Sequence, residues 1–199
     1  VLHRKPKTSP NPGGTTTGVV ADRYGNVVAA TPSGLSSPGG SGGGTGITHD
    51  TRLVIFNTWK DHPNRIEPGK RPRTTLTPTL VLQDGKPVLA VSVAGGDMQD
   101  QAALQLILDF VDFHMGIDEA MGAPRFSTEH FIGSFGQDPP KLGSLSLHER
   151  IGEEVRKELL HRGHEVKTTP HNIGGVAMLR IDLKTGLVQG AGAAAAAVE

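Results

Sequence analysis

Cysteine is absent from the 199 residues, which excludes disulfides and thiolate metal sites and leaves the redox compartment open. Net charge is absent too. Lysine plus arginine and aspartate plus glutamate both number 20, so no overall basic field exists to draw a nucleic acid or an anionic membrane surface. No apolar run approaches the ~20 residues of a membrane-spanning helix. The start, Val1-Leu2-His3-Arg4-Lys5-Pro6-Lys7, has neither an initiator methionine nor an apolar signal core. It reads as an internal piece of a longer gene product. Any targeting signal is then expected in the part not given, which leaves a cytoplasmic, periplasmic or secreted location open. No internal repeat is found.

Glycine and proline, by contrast, are plentiful at 27 and 14 residues, with 36% hydrophobic content. That balance favours a loop-rich mixed α/β chain over a helical bundle. The length allows one domain with a sizeable core or part of a larger one.

The stretch that organises the rest is Gly13-Gly14-Thr15-Thr16-Thr17-Gly18. A threonine hydroxyl is a poor nucleophile until a base takes its proton. A threonine that begins a chain carries that base as its own α-amine, whose pKa of about 7.7–8.0 leaves a useful neutral fraction near pH 7. Gly14 suits the position before such a residue, because a missing Cβ lets the hydroxyl approach its carbonyl. Attack there shifts the acyl group from nitrogen to oxygen, and hydrolysis frees the amine. On this stretch alone an ordinary Gly-rich loop entering a hairpin is the simpler account.

Taken in order, residues 1–14 read as an extended basic tail. Residues 16–22 and 27–31 flank Arg23-Tyr24-Gly25-Asn26 as a β-hairpin, apolar enough to expect a sheet covered on both faces. Residues 33–46 are nearly all small. They match neither the dinucleotide spacing nor a P-loop, and a mobile loop is expected, a connector or the rim of a site. A short strand is predicted at 53–56 and irregular chain at 61–73. A second hairpin is predicted from 77–82 and 88–93. Helical spacing of Ala102, Leu106, Phe110 and Phe113 predicts a core helix over 98–114, with Asp97 as N-cap. Further predictions are a short helix at 117–121, a strand at 125–131 and a helix at 149–162. Strands at 165–168, 176–182 and 187–189 complete the reading, with 191–199 as a tail.

Nine histidines invite a metal, but the one close pairing, His161 with His164, lacks a patterned acidic ligand. No metal is expected. Gly95-Gly96 follows an apolar strand and precedes a helix, so its N–H groups suit an oxyanion hole as well as a tight turn. Thr74-Thr75 offers two hydroxyls, either to a ligand carboxylate or to the loop's own backbone.

Together, Thr15-Thr16-Thr17 with Asp22 and Gly25-Asn26, Pro68-Gly69-Lys70-Arg71-Pro72, Thr74-Thr75-Leu76-Thr77-Pro78-Thr79, Asp84-Gly85-Lys86-Pro87, Gly95-Gly96-Asp97-Met98-Gln99 and Ala123-Pro124-Arg125-Phe126 resemble the small subunit of the gamma-glutamyltransferase family of N-terminal nucleophile hydrolases. The resemblance covers about residues 13–190. It implies an α+β fold, a four-layer αββα sandwich, of which residues 15–190 are the catalytic C-terminal part and 1–14 the end of the large-subunit region. It also implies a precursor cut between Gly14 and Thr15, with the large subunit as partner in a heterodimer or a dimer of heterodimers, and a small-molecule amide or gamma-glutamyl substrate. No cofactor is implied.

Position by position, Thr15 matches the nucleophile, Ser33 a hydroxyl that orients it, and Gly95 with Gly96 the oxyanion-hole pair. Thr74 and Thr75 match a serine pair that holds a substrate carboxylate. The family's ligands for a substrate amine fall at Leu35 and near Arg52 and Ile55; Leu35 and Ile55 are apolar, and Arg52, placed at the substrate site, has the wrong sign for an amine. The Gly-Gly-Asp-Met-Gln variant is closer to the amidase-like branch. The resulting expectation is an amide hydrolase or acyltransferase that forms an acyl-enzyme, favours hydrolysis over transfer, and accepts an acyl group with a carboxylate or polar end but no α-ammonium. The alternatives are a family member that is neither processed nor active and serves as a binding protein, or a true glutathione-cleaving transpeptidase.

Overall fold

The structure is a computed structural model, and it describes residues 14–33, 44 and 52–192. The expectations for residues 1–13, for most of the Gly/Ser loop including Leu35, and for the alanine run after residue 192 lie outside the described residues.

Asp22 organises the first hairpin. Its carboxylate accepts the Tyr24 and Asn26 N–H groups at 2.8 and 2.9 Å and the Asn26 side-chain amide at 2.7 Å, while Gly25 takes φ 87°. The bonds from Asn26, side chain first, hold the Asp22 carboxyl below the usual carboxylate range. This turn joins β1 (Gly18–Ala21) to β2 (Val27–Ala30), antiparallel with Val20 opposite Val28. Along the chain follow β3 (Thr79–Gln83), β4 (Lys86–Ala94), α1 (Gln99–Val111), α2 (Ile117–Gly122), β5 (Phe126–Ser127), β6 (Ser144–His148), α3 (Glu153–His161), β7 (Glu165–Thr169), β8 (Gly175–Ile181) and β9 (Val188–Gly192).

Strands β3, β4, β8 and β9 form one antiparallel sheet in the order β3-β4-β8-β9. Successive side chains of a strand point to opposite faces, and β4 uses both. Leu89, Val91 and Val93 join Ala102, Ala103 and Leu106 of α1, Ile117 and Ala120 of α2, and Val176 and Met178 of β8 in the main core. Each large aliphatic side chain buried there stabilises the fold by about 1.5–3 kcal/mol. Ser92 lies on the opposite face, where its hydroxyl donates to the Ala30 carbonyl at 2.7 Å and lies 2.8 Å from the Thr31 hydroxyl. The result is three successive layers: helices, four-stranded sheet, hairpin. A second sheet holds β5, β6 and β7, with β6 and β7 parallel and α3 as their crossover.

Several local expectations need correction. Residues 53–56 do not form a strand. Arg52–Ile55 is a 3-10 turn, closed by a bond from Phe56 N–H to the Leu53 carbonyl at 3.1 Å, with Ile55 buried and Leu53 exposed. The strand expected at 125–131 shrinks to two residues because side-chain amides of α1 take over its backbone. Gln105 pairs with both the N–H and the carbonyl of Phe126, and Gln101 does the same for Thr128. Helix α1 stops at Val111, and His114 at φ 56° turns Phe113 outward to 68% exposure, so Phe113 is not core. Helix α3 starts at Glu153, since the preceding turn is held by His148, which accepts the N–H groups of Arg150 and Ile151. Val20 and Val28 on the outer face of the first hairpin are exposed among the described residues, so the hairpin is covered on one face. Strand β6 was not anticipated, although Leu145 and Leu147 alternate with serines and are both buried. Strand β9 runs to Gly192, two residues into the expected tail.

Candidate active site

Thr15 and Ser33 meet at the open end of the first hairpin. They form an isolated antiparallel bridge, and their hydroxyls lie 2.8 Å apart in a hydrogen bond. The Thr16 N–H donates to the Pro32 carbonyl at 2.9 Å and extends the pairing beyond β1 and β2. Thr31, two residues before Ser33, is the residue bonded to Ser92 of β4. Strand β4 ends at Ala94, and Gly95 follows, three residues after Ser92. The hairpin and the sheet are therefore pinned together two residues before Ser33 and three before Gly95.

Gly95 and Gly96 adopt φ 153° and 57°, backbone angles that disfavour any side chain. They lead into a 3-10 turn, Gly96–Met98, ahead of α1. Asp97 does not cap that helix. Its two carboxylate oxygens instead accept the N–H and the hydroxyl of Ser134, a residue 1% exposed. Gln99 is equally buried. With its amide nitrogen facing carbonyls, it donates to Val93 at 2.7 Å and Thr75 at 3.0 Å, and its oxygen accepts the Gly96 N–H at 3.2 Å. This one side chain ties the end of β4, the glycine turn and the threonine pair together. A serine or asparagine pattern would not reveal it from sequence, because its partners are backbone groups.

A pocket of about 240 Å³ opens between these segments. Thr74, Thr75 and Gly96, all named from the sequence, line it. Thr74 spends its oxygen locally, accepting the Leu76 N–H at 3.1 Å. Thr75 is 8% exposed, and neither its hydroxyl nor that of Thr77 has a hydrogen-bond partner among the described residues. Arg73, Thr77, Asp97, Asp100 and Ser134 also line the pocket and were not expected. Arg73 and Asp97 adjoin residues already singled out, so proximity was their available signal. Ser134 had none.

The remaining expected positions are dispersed. Thr15 and Ser33 are not among the pocket's lining residues. Gly14 precedes Thr15 as an exposed residue. Arg52 begins the 3-10 turn that Ile55 ends, and Ile55 is 1% exposed, turned inward and unable to meet a ligand. Among the described residues no group of three or more histidine, aspartate or glutamate side chains is placed to hold a metal ion, and no helix is long and apolar enough to cross a membrane.

A profile described as Gamma-glutamyltranspeptidase matches residues 2–196. The glutathione hydrolase proenzyme of Bacillus subtilis subsp. natto is 31% identical over 185 residues, covering 89% of this chain and 29% of the relative. The acylase ACY 1 proenzyme of Pseudomonas sp. (strain SE83) is 35% identical over 167 residues, covering 81% and 27%. The chain thus spans under a third of the length of these curated relatives. Among solved structures, the gamma-glutamyltranspeptidase of Helicobacter pylori matches with a TM-score of 0.71 at 27% identity, over 89% of this chain and 97% of that one. The α+β class expected from the sequence, the αββα sandwich of N-terminal nucleophile hydrolases, is the fold. Profile, relatives and fold agree that this chain belongs to the gamma-glutamyltranspeptidase family.

Proposed function

We propose that the chain is the catalytic small-subunit part of an amide hydrolase or acyltransferase, with Thr15 as nucleophile. The observation that carries this reading is the 2.8 Å hydrogen bond between the Thr15 and Ser33 hydroxyls. It gives a hydrogen-bond partner to the hydroxyl of a threonine that also follows a glycine. In this scheme the precursor is cut between Gly14 and Thr15, and the large subunit stays bound as partner. The freed amine of Thr15 takes the hydroxyl proton as the oxygen bonds to the acyl carbon of the substrate. Ser33 orients the hydroxyl. Gly95 and Gly96 donate N–H groups to the oxyanion, one such donor being typically worth ~10²–10³ in rate. For Gly96 this requires the N–H to exchange the Gln99 oxygen for the developing charge.

The proton then passes to the leaving amine as the amide bond breaks, and water hydrolyses the acyl ester. Thr74 and Thr75 receive a carboxylate or polar end of the acyl group, with Arg52 toward the substrate side. In this scheme hydrolysis is favoured over transfer. A second reading, a binding protein without catalysis, draws on Thr74 and Gly96, whose polar groups are already engaged within the chain.

Mass spectrometry of the full precursor decides between them. A small fragment beginning at Thr15 in the wild type, absent in Thr15→Ala, together with hydrolysis of a glutaryl amide, a gamma-glutamyl anilide or oxamate, supports the enzyme. An intact Thr15→Ala precursor that hydrolyses these amides as well as the wild type overturns it.

A further inference from the structure

A half-exposed aromatic ring stands against the glycine turn, and the scheme above does not use it. Phe135 is 47% exposed, yet its ring packs on Gly96: a Cβ built there would lie 3.5 Å from Phe135 Cε2 and 4.0 Å from Cδ2. The ring stands beside the space that a side chain at residue 96 would take. The nitrogen and the Cβ position of one residue are about 2.5 Å apart, so the ring edge comes within about 6 Å of the Gly96 nitrogen. That nitrogen carries one of the proposed oxyanion donors.

The loop that carries the ring is fastened at several points. Arg73 Nη2 donates to the Ile132 carbonyl at 2.8 Å and to the Ser134 hydroxyl at 2.6 Å. Ser134 in turn donates its N–H and its hydroxyl to the Asp97 carboxylate. The Gly133 N–H donates to the Asp138 carbonyl at 2.9 Å, and the Gln137 side chain donates to the Phe56 carbonyl at 2.7 Å. A half-exposed ring is an ordinary surface feature. One held on an anchored loop against a candidate reacting centre is a contact surface formed before the substrate arrives, and such a surface loses little freedom on binding.

We infer that Phe135 is a specificity-determining residue that receives the leaving amine, and that it favours amides whose amine part is aromatic. The inference deepens the amidase reading and rests on it. The pocket assigned to the acyl end is lined by Gly96 and Ser134 but not by Phe135. A tetrahedral centre bound at Gly96 carries the acyl chain on one bond and the leaving nitrogen on another. With the acyl chain in the pocket, the amine substituent is the part of the substrate left to meet the ring. As the bond from carbon to nitrogen breaks, that nitrogen takes the proton held by the Thr15 amine, and the freed amine departs past Phe135. A phenyl ring offers its π-face and edge to an aryl group and very little to a methyl group.

The test uses the full precursor after processing and two substrates with one acyl group, a glutaryl anilide and a glutaryl methylamide. The two amines differ in intrinsic leaving ability, but that difference cancels when the kcat/KM ratio of a variant is divided by that of the wild type. An aromatic pair contributes roughly two- to tenfold beyond its buried area, so the anilide-to-methylamide ratio is expected to fall at least roughly threefold in Phe135→Ala. Phe135→Leu keeps apolar bulk without the ring and is expected to fall between the two. A third substrate, acetanilide, changes only the acyl group, and the ratio of glutaryl anilide to acetanilide is expected to stay constant across the variants. An unchanged anilide-to-methylamide ratio in processed Phe135→Ala, or in Phe135→Leu should the former not process, overturns the assignment. Equal loss of all three substrates also overturns it, by showing that the ring only packs against the turn or the large subunit. A change confined to the acyl ratio overturns it by placing the ring on the acyl side. Full activity of Thr15→Ala is the separate outcome that sinks the underlying amidase reading.

Discussion

Gly174 is the position where a single methyl group is expected to damage both stability and the Gly95-Gly96 turn proposed to bind the oxyanion. It has φ 74°, and a Cβ built there would lie 2.6 Å from Val93 Cγ1, with the Ala94 carbonyl at 3.4 Å and Ala102 Cβ at 3.5 Å. Val93 has little room to yield, since it is fully buried where β4 packs against α1. Gly174 also backs directly onto Gly95, whose own Cβ position is 3.2 Å from Gly174 Cα. A left-handed backbone costs an L-residue about 1–2 kcal/mol, and forcing an extra methyl group into a packed core costs about 1–3 kcal/mol. Gly174→Ala is therefore expected to lose about 2–5 kcal/mol. Gly186 is the internal control. Its φ is 75°, but nothing lies within 4 Å of its Cβ position, so Gly186→Ala is expected to lose only the backbone cost. Urea unfolding of the two variants in the processed enzyme reads the difference. Because relief of the clash pushes on Gly95, kcat of Gly174→Ala should fall by roughly tenfold or more, toward the loss of one oxyanion donor. Adding Val93→Ala should return part of both losses, since it removes the colliding methyl. Equal destabilisation by Gly174→Ala and Gly186→Ala, or no coupling with Val93→Ala, would refute the reasoning.

Three further outcomes follow from particular residues. Thr75→Val removes a buried hydroxyl that has no partner, so it should raise the stability of the free enzyme by about 1 kcal/mol while raising KM for carboxylate substrates; a drop in stability in urea would count against an unsatisfied hydroxyl. Burial pushes the Asp109 carboxyl up, opposed by the Arg125 charge. The folded state therefore holds its proton to higher pH than the unfolded chain does, and stability is lost as pH rises from below the ordinary carboxylate value through the folded one. Asp109→Asn should flatten that slope and gain relative to wild type as pH rises from below the ordinary carboxylate value, and a relative loss over that rise contradicts the sign. Asp22 has the opposite linkage: its lowered pKa gives stability that is present above the ordinary value and lost as pH falls through the folded one. Asp22→Ala should speed amide exchange at Tyr24 and Asn26 of the first turn, and unchanged exchange there would remove the carboxylate from the account.

The sheet was readable because its hairpins announce themselves. Asp84 and Gly85 both take positive φ between two apolar runs, which is the turn chemistry that joins twisted antiparallel strands. The main helix was readable from the spacing of Ala102, Ala103 and Leu106 against the sheet. The failures have a common physical origin. At residues 125–131 the β-prone run lost its strand partners to the side-chain amides of Gln101 and Gln105. At 53–56 the apolar residues found a core position for Ile55 but no neighbouring strand. Propensity describes what a segment prefers, and in both places tertiary partners decided otherwise.

The site divides along the same line. Thr15, Ser33, Thr75 and Gly96 each belong to a short motif, and a motif survives in sequence because its chemistry depends on neighbours along the chain. What holds these motifs relative to one another does not. Gln99 joins Val93, Thr75 and Gly96 through backbone groups, and Ser134 joins Arg73 to Asp97 across 61 and 37 residues of chain. Neither contact leaves a pattern, since any residue can supply a carbonyl and serine is common everywhere. Yet these two side chains are nearly inaccessible to solvent, and a buried polar group persists only where its bonds are satisfied. Burial plus complete satisfaction is thus the structural mark of a residue that holds the segments of a site together. Thr75 and Thr77 bear the complementary mark, burial without satisfaction. The contrast separates side chains that hold the pocket's segments together from side chains whose polar groups the described residues leave unmatched.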